Sequence, residues 1–143
     1  MRISDVLRGK AESAVVTIAP GASVRDLVAL LAEHNVGALI VSSEPGVVAG
    51  IVSERDVVRH LHANPSVLDA RVLDIMTPTV HTCTGADAVT DLMQLMTEHR
   101  VRHVPVLTDG RLSGIVSIGD VVKSRIGELE FERDQLDHYL HQN

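Results

Sequence analysis

The apolar positions of this chain pass through one order of patterns and then pass through it again. The first round opens with a short extended piece, "AVVTIA". It continues into "SVRDLVALLAEH", where Val24, Leu27, Leu30 and Leu31 recur at the spacing of one buried helix face. Ser23 stands as the N-cap of that helix, with Asp26 three residues on as a capping partner. A strand-type run "VGALIVS" follows, then a turn at "SEPGVV", a second strand "AGIVS" and a helix "ERDVVRHL". The second round reads "TVHTCT", a helix over "AVTDLMQLMTEH" with Asp87 as its expected cap, the strand "VRHVPVL", a turn "TDGR", the strand "SGIVS" and the helix "IGDVVKSRI". The Asp-Gly of that turn is a hairpin signal.

The two rounds are copies. "SVRDLVALLAEHNVGALIV" lies over "AVTDLMQLMTEHRVRHVPV" at one constant offset, with Val24, Asp26, Leu27, Leu30, Glu33, His34, Val36 and Val41 recurring identically. "GIVSERDVV" (Gly50 to Val58) returns as "GIVSIGDVV" (Gly114 to Val122), and the front pieces "ISDVL" and "VLDIM" also match. The predicted organisation is a first repeat over 1–62, a linker over 63–71 with an Asn-Pro turn, a second repeat over 72–127 and a helical tail over 128–143. Each repeat is a β-α-β-β-α unit of an α/β fold. Helices on one side leave the other sheet face apolar, and two such units pressed together bury both faces.

Composition narrows this picture. The chain of 143 residues is 45% apolar but holds one Phe, one Tyr and no Trp, so the core is aliphatic. A net charge of -6 argues against non-specific affinity for nucleic acid or an anionic membrane. A single cysteine, Cys83, forms no internal disulfide and reads as a small buried apolar residue. No apolar run reaches the length of a membrane span, and the N-terminus lacks the apolar stretch of a signal peptide, so a cytoplasmic location is expected.

The repeated phrase carries the candidate chemistry. Ser53 and Ser117 each end a strand and start a helix, as a good N-cap does. Asp56 and Asp120 follow one turn in, where the helix dipole favours a carboxylate. An ionised carboxylate only accepts hydrogen bonds, and a ribose diol offers two O–H donors side by side. Free N–H groups at the helix start attract a phosphate. The plainer account is a capping box, and the same residues can cap and bind. Gly50 and Gly114 fit a turn or a close backbone approach.

The β-α-β-β-α order, the strands "EHNVGALIV" and "EHRVRHVPV" and the paired "GIVSxxD" phrases resemble a tandem pair of CBS (cystathionine β-synthase) domains, a Bateman module of the stand-alone bacterial type. The resemblance covers roughly residues 1–127. It implies a pseudo-two-fold module with two clefts between the repeats, which in the family bind AMP, ADP, ATP, NAD or S-adenosylmethionine. It therefore implies ribose contacts from Ser53, Asp56, Ser117 and Asp120. It further implies phosphate contacts from Arg55, Arg102 and His103, and an adenine edge lined by Thr17, Ala38 and Thr82. Thr17 and Thr82 also read simply as β-branched strand residues.

The two copies differ where these cations stand. Arg102 and His103 face Gly37 and Ala38 in the other copy, and Arg55 faces Gly119, so two unequal sites are expected. His34 and His99 read as cations closing helix C-termini, and His138 and His141 make a poor metal site. In the tail, Ile126, Leu129, Leu136 and Leu140 follow a heptad seam interrupted by Arg133, too short for an independent coiled coil.

The function expected is regulatory: an adenine nucleotide serves as ligand, no cofactor is required, and the output goes to a separate effector protein or to the oligomeric state. A homodimer in which the tail takes part is predicted. The alternatives are a nucleic-acid-binding or an S-adenosylmethionine-binding CBS protein. An enzyme is not expected, since the sequence offers no nucleophile with an evident base, no P-loop and no metal cluster.

Overall fold

A computed structural model of the chain describes residues 1–10, 15–78 and 80–142. The elements in order are α1 (Ile3–Arg8), β1 (Thr17–Ile18), α2 (Val24–His34), β2 (Ala38–Val41), β3 (Gly50–Ser53), α3 (Glu54–Ala63), a 3-10 turn (Val67–Asp69), α4 (Val72–Ile75), β4 (Cys83–Thr84), α5 (Val89–His99), β5 (His103–Thr108), β6 (Arg111–Ser117) and α6 (Ile118–Leu140). They build two three-stranded sheets, β1-β2-β3 and β4-β5-β6. In each, the first pairing is parallel and the second antiparallel, Ile18 opposite Val41 and Ile40 opposite Ile51 in one, Cys83 opposite Val106 and Val104 opposite Val116 in the other.

Two aliphatic cores result, and they do not follow the sequence repeats. The first gathers Leu27, Leu39, Val41 and Val52 with Val67, Val72 and Ile75, which come from the linker and the start of the second repeat. The second gathers Leu92, Met96, Val104 and Val116 with Ile3 and Val6 of α1. Each opening helix is pinned across by its backbone: Ile3 N–H donates to the Asp87 carbonyl at 3.0 Å, and Val72 N–H donates to the Ala22 carbonyl at 2.8 Å. Every side chain of this kind stabilises the fold by roughly 1.5–3 kcal/mol when fully buried. The exchange of opening helices therefore ties the two halves together.

The repeated glycine before each second strand has a packing reason. A Cβ on Gly50 would lie 2.8 Å from the Thr77 carbonyl oxygen and 2.9 Å from Met76 Sδ, where the chain leaving α4 crosses β3. On Gly114 it would lie 3.1 Å from a methyl of Leu7 in α1. The "TDGR" hairpin turns through Asp109 and Gly110 with φ 52 and 79, the two positive values that a tight two-residue turn needs.

Two expectations are corrected. Among the described residues the first extended pieces pair over two residues each, Thr17–Ile18 and Cys83–Thr84; Ala14 and Thr79 lie outside the described residues. Asp87 does not cap α5. The N-cap is Ala88, which makes no side-chain bond, and the Asp87 carboxylate instead accepts from Thr84 N–H at 2.8 Å. The helix α6 runs unbroken from the second repeat into the tail, 23 residues long.

Candidate functional site

Both Ser-x-x-Asp phrases sit at strand-to-helix junctions as reciprocal capping boxes. Ser53 N–H donates to Asp56 Oδ2 at 2.9 Å, and Asp56 N–H donates back to Ser53 Oγ at 3.3 Å. The second copy repeats this with Ser117 and Asp120 at 2.9 and 3.1 Å. All of these carboxylate bonds fall on Oδ2. Among the described residues, Oδ1 of both aspartates carries no hydrogen bond, so one oxygen serves the cap and the other is free. All four side chains are half-buried.

Each pair opens onto a cleft whose other wall comes from the opposite repeat. The larger, cleft 1, is about 340 Å³ and brings Ser117 and Asp120 together with residues 34–39 at the end of α2 and the start of β2. Cleft 2 is about 180 Å³ and brings Ser53, Arg55 and Asp56 together with Arg102 and His103. Gly37, Ala38 and His103 wall both clefts, which therefore adjoin at the centre of the molecule. So the cations Arg55 and Arg102, far apart in sequence, meet in one cleft, while His103 is shared.

The electrostatics of the two clefts differ. Burial acts to raise the Asp120 carboxyl, but the Ser117 amide and the Lys10 ammonium outweigh it and hold the group below the usual carboxylate range. Lys10 Nζ stands 2.9 Å from Asp120 Oδ2 and donates to the Ile115 carbonyl at 2.9 Å. Asp56 has no cationic partner within ion-pair distance among the described residues. His103 is pushed below its ordinary pKa, chiefly by burial, with Lys10 and Arg102 adding to the effect and Asp120 and Glu54 opposing it.

Thr17 and Thr82 border neither cleft. Both are exposed, while their neighbours Ile18 and Cys83 are buried. Val16, on the inward side, borders cleft 1 instead, and Thr82 borders a separate depression with Leu107 and Arg111. Residues not anticipated from the sequence include Lys10, Asn35, Ile51, Glu54 and Thr77. Periodicity gives no sign of Lys10, which follows α1 and reaches Asp120 only because that helix packs in the second core. Cys83 is buried, and burial together with the Asp87 charge pushes its thiol up to about 11, an unreactive state. Among the described residues, no group of three or more His, Cys, Asp or Glu side chains is placed to hold a metal ion.

The CBS domain family matches residues 3–63 and, separately, residues 72–127. The chain belongs to the CBS-domain family. It is 39% identical over 146 residues to the mitochondrial CBS domain-containing protein CBSX3 of Arabidopsis thaliana, spanning 96% of this chain and 71% of that protein. Among solved structures it resembles a CBS-domain containing protein of Agrobacterium tumefaciens at 40% identity and a TM-score of 0.83, over 87% of this chain and 99% of that one. A CBS domain protein of Pyrobaculum aerophilum, solved in complex with AMP, is 28% identical with a TM-score of 0.74, over 84% of this chain and 89% of that one. The two CBS repeats, two sheets and C-terminal helix are thus those of a CBS pair. Among the described residues no helix is long and apolar enough to cross a membrane.

Proposed function

We propose that this CBS pair is a regulatory module that binds an adenosine nucleotide of the AMP, ADP, ATP or NAD class between its repeats. The observation that carries this reading is the pair of half-buried aspartates, each with Oδ2 spent on its helix cap and Oδ1 free at the edge of an inter-repeat cleft. The free oxygen suits a ribose diol, with Ser53 and Ser117 beside it. Arg55, Arg102 and His103 serve the phosphates in cleft 2, and Ala38 lies between the clefts at the base. Thr17 of β1 and Thr82, just before β4, border neither cleft and take no part in this site. AMP bound to the Pyrobaculum relative supports the choice of ligand. The output is a change in the arrangement of the repeats, driven by differential affinity of the ligand and passed to an effector protein.

A thermal-shift panel of AMP, ADP, ATP, NAD and S-adenosylmethionine tests this. AMP at a hundred times its Kd stabilises the folded state by about 2.7 kcal/mol. Asp56→Asn and Asp120→Asn keep a cap acceptor but remove the charge, and each is expected to weaken binding in its own cleft. No shift with any member of the panel, or full binding in both variants, overturns the reading.

The same module pairs with a second copy through helix faces that the fold leaves apolar and exposed. Val58 and Leu61 of α3 and Val122, Ile126 and Leu129 of α6 are between 42% and 65% exposed. Leu136, Tyr139 and Leu140 continue the face along the tail. A homodimer buries this surface, and light scattering that gives a monomer at micromolar concentration refutes it.

A further inference from the structure

Lys10 is the group in cleft 1 that neither repeat motif accounts for. α1 packs in the second core, so the residue that follows it is brought to β6 and α6. Its ammonium there bonds the Ile115 carbonyl and Asp120 Oδ2, both at 2.9 Å, and the two side chains of the ion pair are only 26% and 23% exposed. An ammonium has three N–H donors. Two are spent on these partners, and the residue borders the cleft, leaving one donor for an occupant. The side chain is already held, so little further freedom is lost when a ligand arrives.

Charge makes the same point. Without Lys10, cleft 1 would present the Asp120 carboxylate to an incoming phosphate with no permanent cation beside it, and like charges repel strongly in a half-buried site. His103, the shared imidazole, is shifted by burial toward its neutral form and is no permanent cation. At the matching place after the second front piece the sequence has Thr79, so this cation belongs to one repeat alone.

We propose that Lys10 is the anion-binding residue of cleft 1, taking the phosphate of a nucleotide whose ribose sits on Asp120, and so selecting phosphorylated over unphosphorylated adenosine there. This rests on cleft 1 being a nucleotide site. It gives cleft 1 the function that Arg55 and Arg102 give cleft 2, from a different part of the chain.

The test is a pair of NMR titrations, with AMP and with adenosine. The Ser117 amide, bonded to Asp120, reports cleft 1, and the Ser53 amide, bonded to Asp56, reports cleft 2. Lys10→Met is expected to weaken AMP at Ser117 about tenfold, the worth of one charge-assisted hydrogen bond, while adenosine changes by less than about twofold. Lys10→Arg retains the preference for AMP, and Ser53 responds as in the parent protein. Equal losses for AMP and adenosine would assign Lys10 a structural role and overturn the proposal, as would unchanged AMP affinity. A parent protein whose Ser117 amide responds to neither ligand overturns the nucleotide reading of cleft 1 itself, an outcome distinct from a failure confined to Lys10.

Discussion

Cleft 1 and cleft 2 share a frame and differ in lining. Both start from a Ser-x-x-Asp capping box with one free carboxylate oxygen, and both use Gly37, Ala38 and His103 as wall. The cations come from different places. Arg55 and Arg102 of cleft 2 occupy repeat positions whose counterparts are Gly119 and Gly37. Lys10 of cleft 1 comes from the chain that crosses between the cores. Space differs too. Val16 and His34 border the larger cleft, whereas their counterparts His81 and His99 stack on one another with ring centroids 4.0 Å apart and do not border the smaller one. Duplication thus preserved what the backbone needs, the strand-helix junction and its cap. The side chains that meet a ligand's charge diverged, because the cap does not constrain them.

The largest effect is expected when a cation is removed from one cleft and both clefts are read. Arg102→Ala takes an exposed guanidinium from cleft 2, so little stability is lost. AMP affinity at the Ser53 reporter is expected to fall about tenfold, the value of one charge-assisted contact. The Ser117 reporter should stay within about twofold of the parent value, since additivity holds between groups that do not touch. An equal fall at both reporters would mean that the clefts act as one site and that their different linings carry no selectivity.

How much of this was legible in the sequence depends on how far each feature reaches along the chain. The repeats, the strand-helix junctions and the Ser-Asp pairs are local, three residues apart, and the structure places them as the pattern predicts. The Asp-Gly turn was legible for the same reason. The α5 cap was misread because Asp87 has a nearer donor in Thr84, and a one-residue shift decides which backbone N–H a short carboxylate reaches. Thr17 and Thr82 are exposed and border neither cleft, since resemblance marks a stretch of chain but does not fix which way each residue faces. Lys10 was invisible: its partners Ile115 and Asp120 are joined to it only by the crossing of α1 into the second core, a feature with no periodic signature.

The smallest expected effect is a pH dependence at the wall the clefts share. His103 is faced by Asp120 from α6, Lys10 after α1, Glu54 from α3 and Arg102 on its own strand end, and burial leads in pushing its pKa below the ordinary 6.5. The unfolded imidazole therefore takes up a proton at a higher pH than the folded one. Its contribution to stability is present above 6.5 and is lost as pH falls from there toward the folded value. Other histidines titrate in the same range, so the measurement is a difference. Urea unfolding from pH 7.5 down to pH 5.5 should show a smaller loss of stability for His103→Gln than for the parent. A phosphate in either cleft favours the imidazolium, so AMP should bind with proton uptake in the parent and with less in His103→Gln, as calorimetry in buffers of different ionisation enthalpy can read. The phosphate's own second ionisation is common to both proteins and cancels in that difference. If the Ser53 and Ser117 reporters both lose their His103-dependent pH response together, the imidazole serves both clefts. If only Ser53 does, His103 belongs to cleft 2 with Arg102, and cleft 1 depends on Lys10 alone for its positive charge.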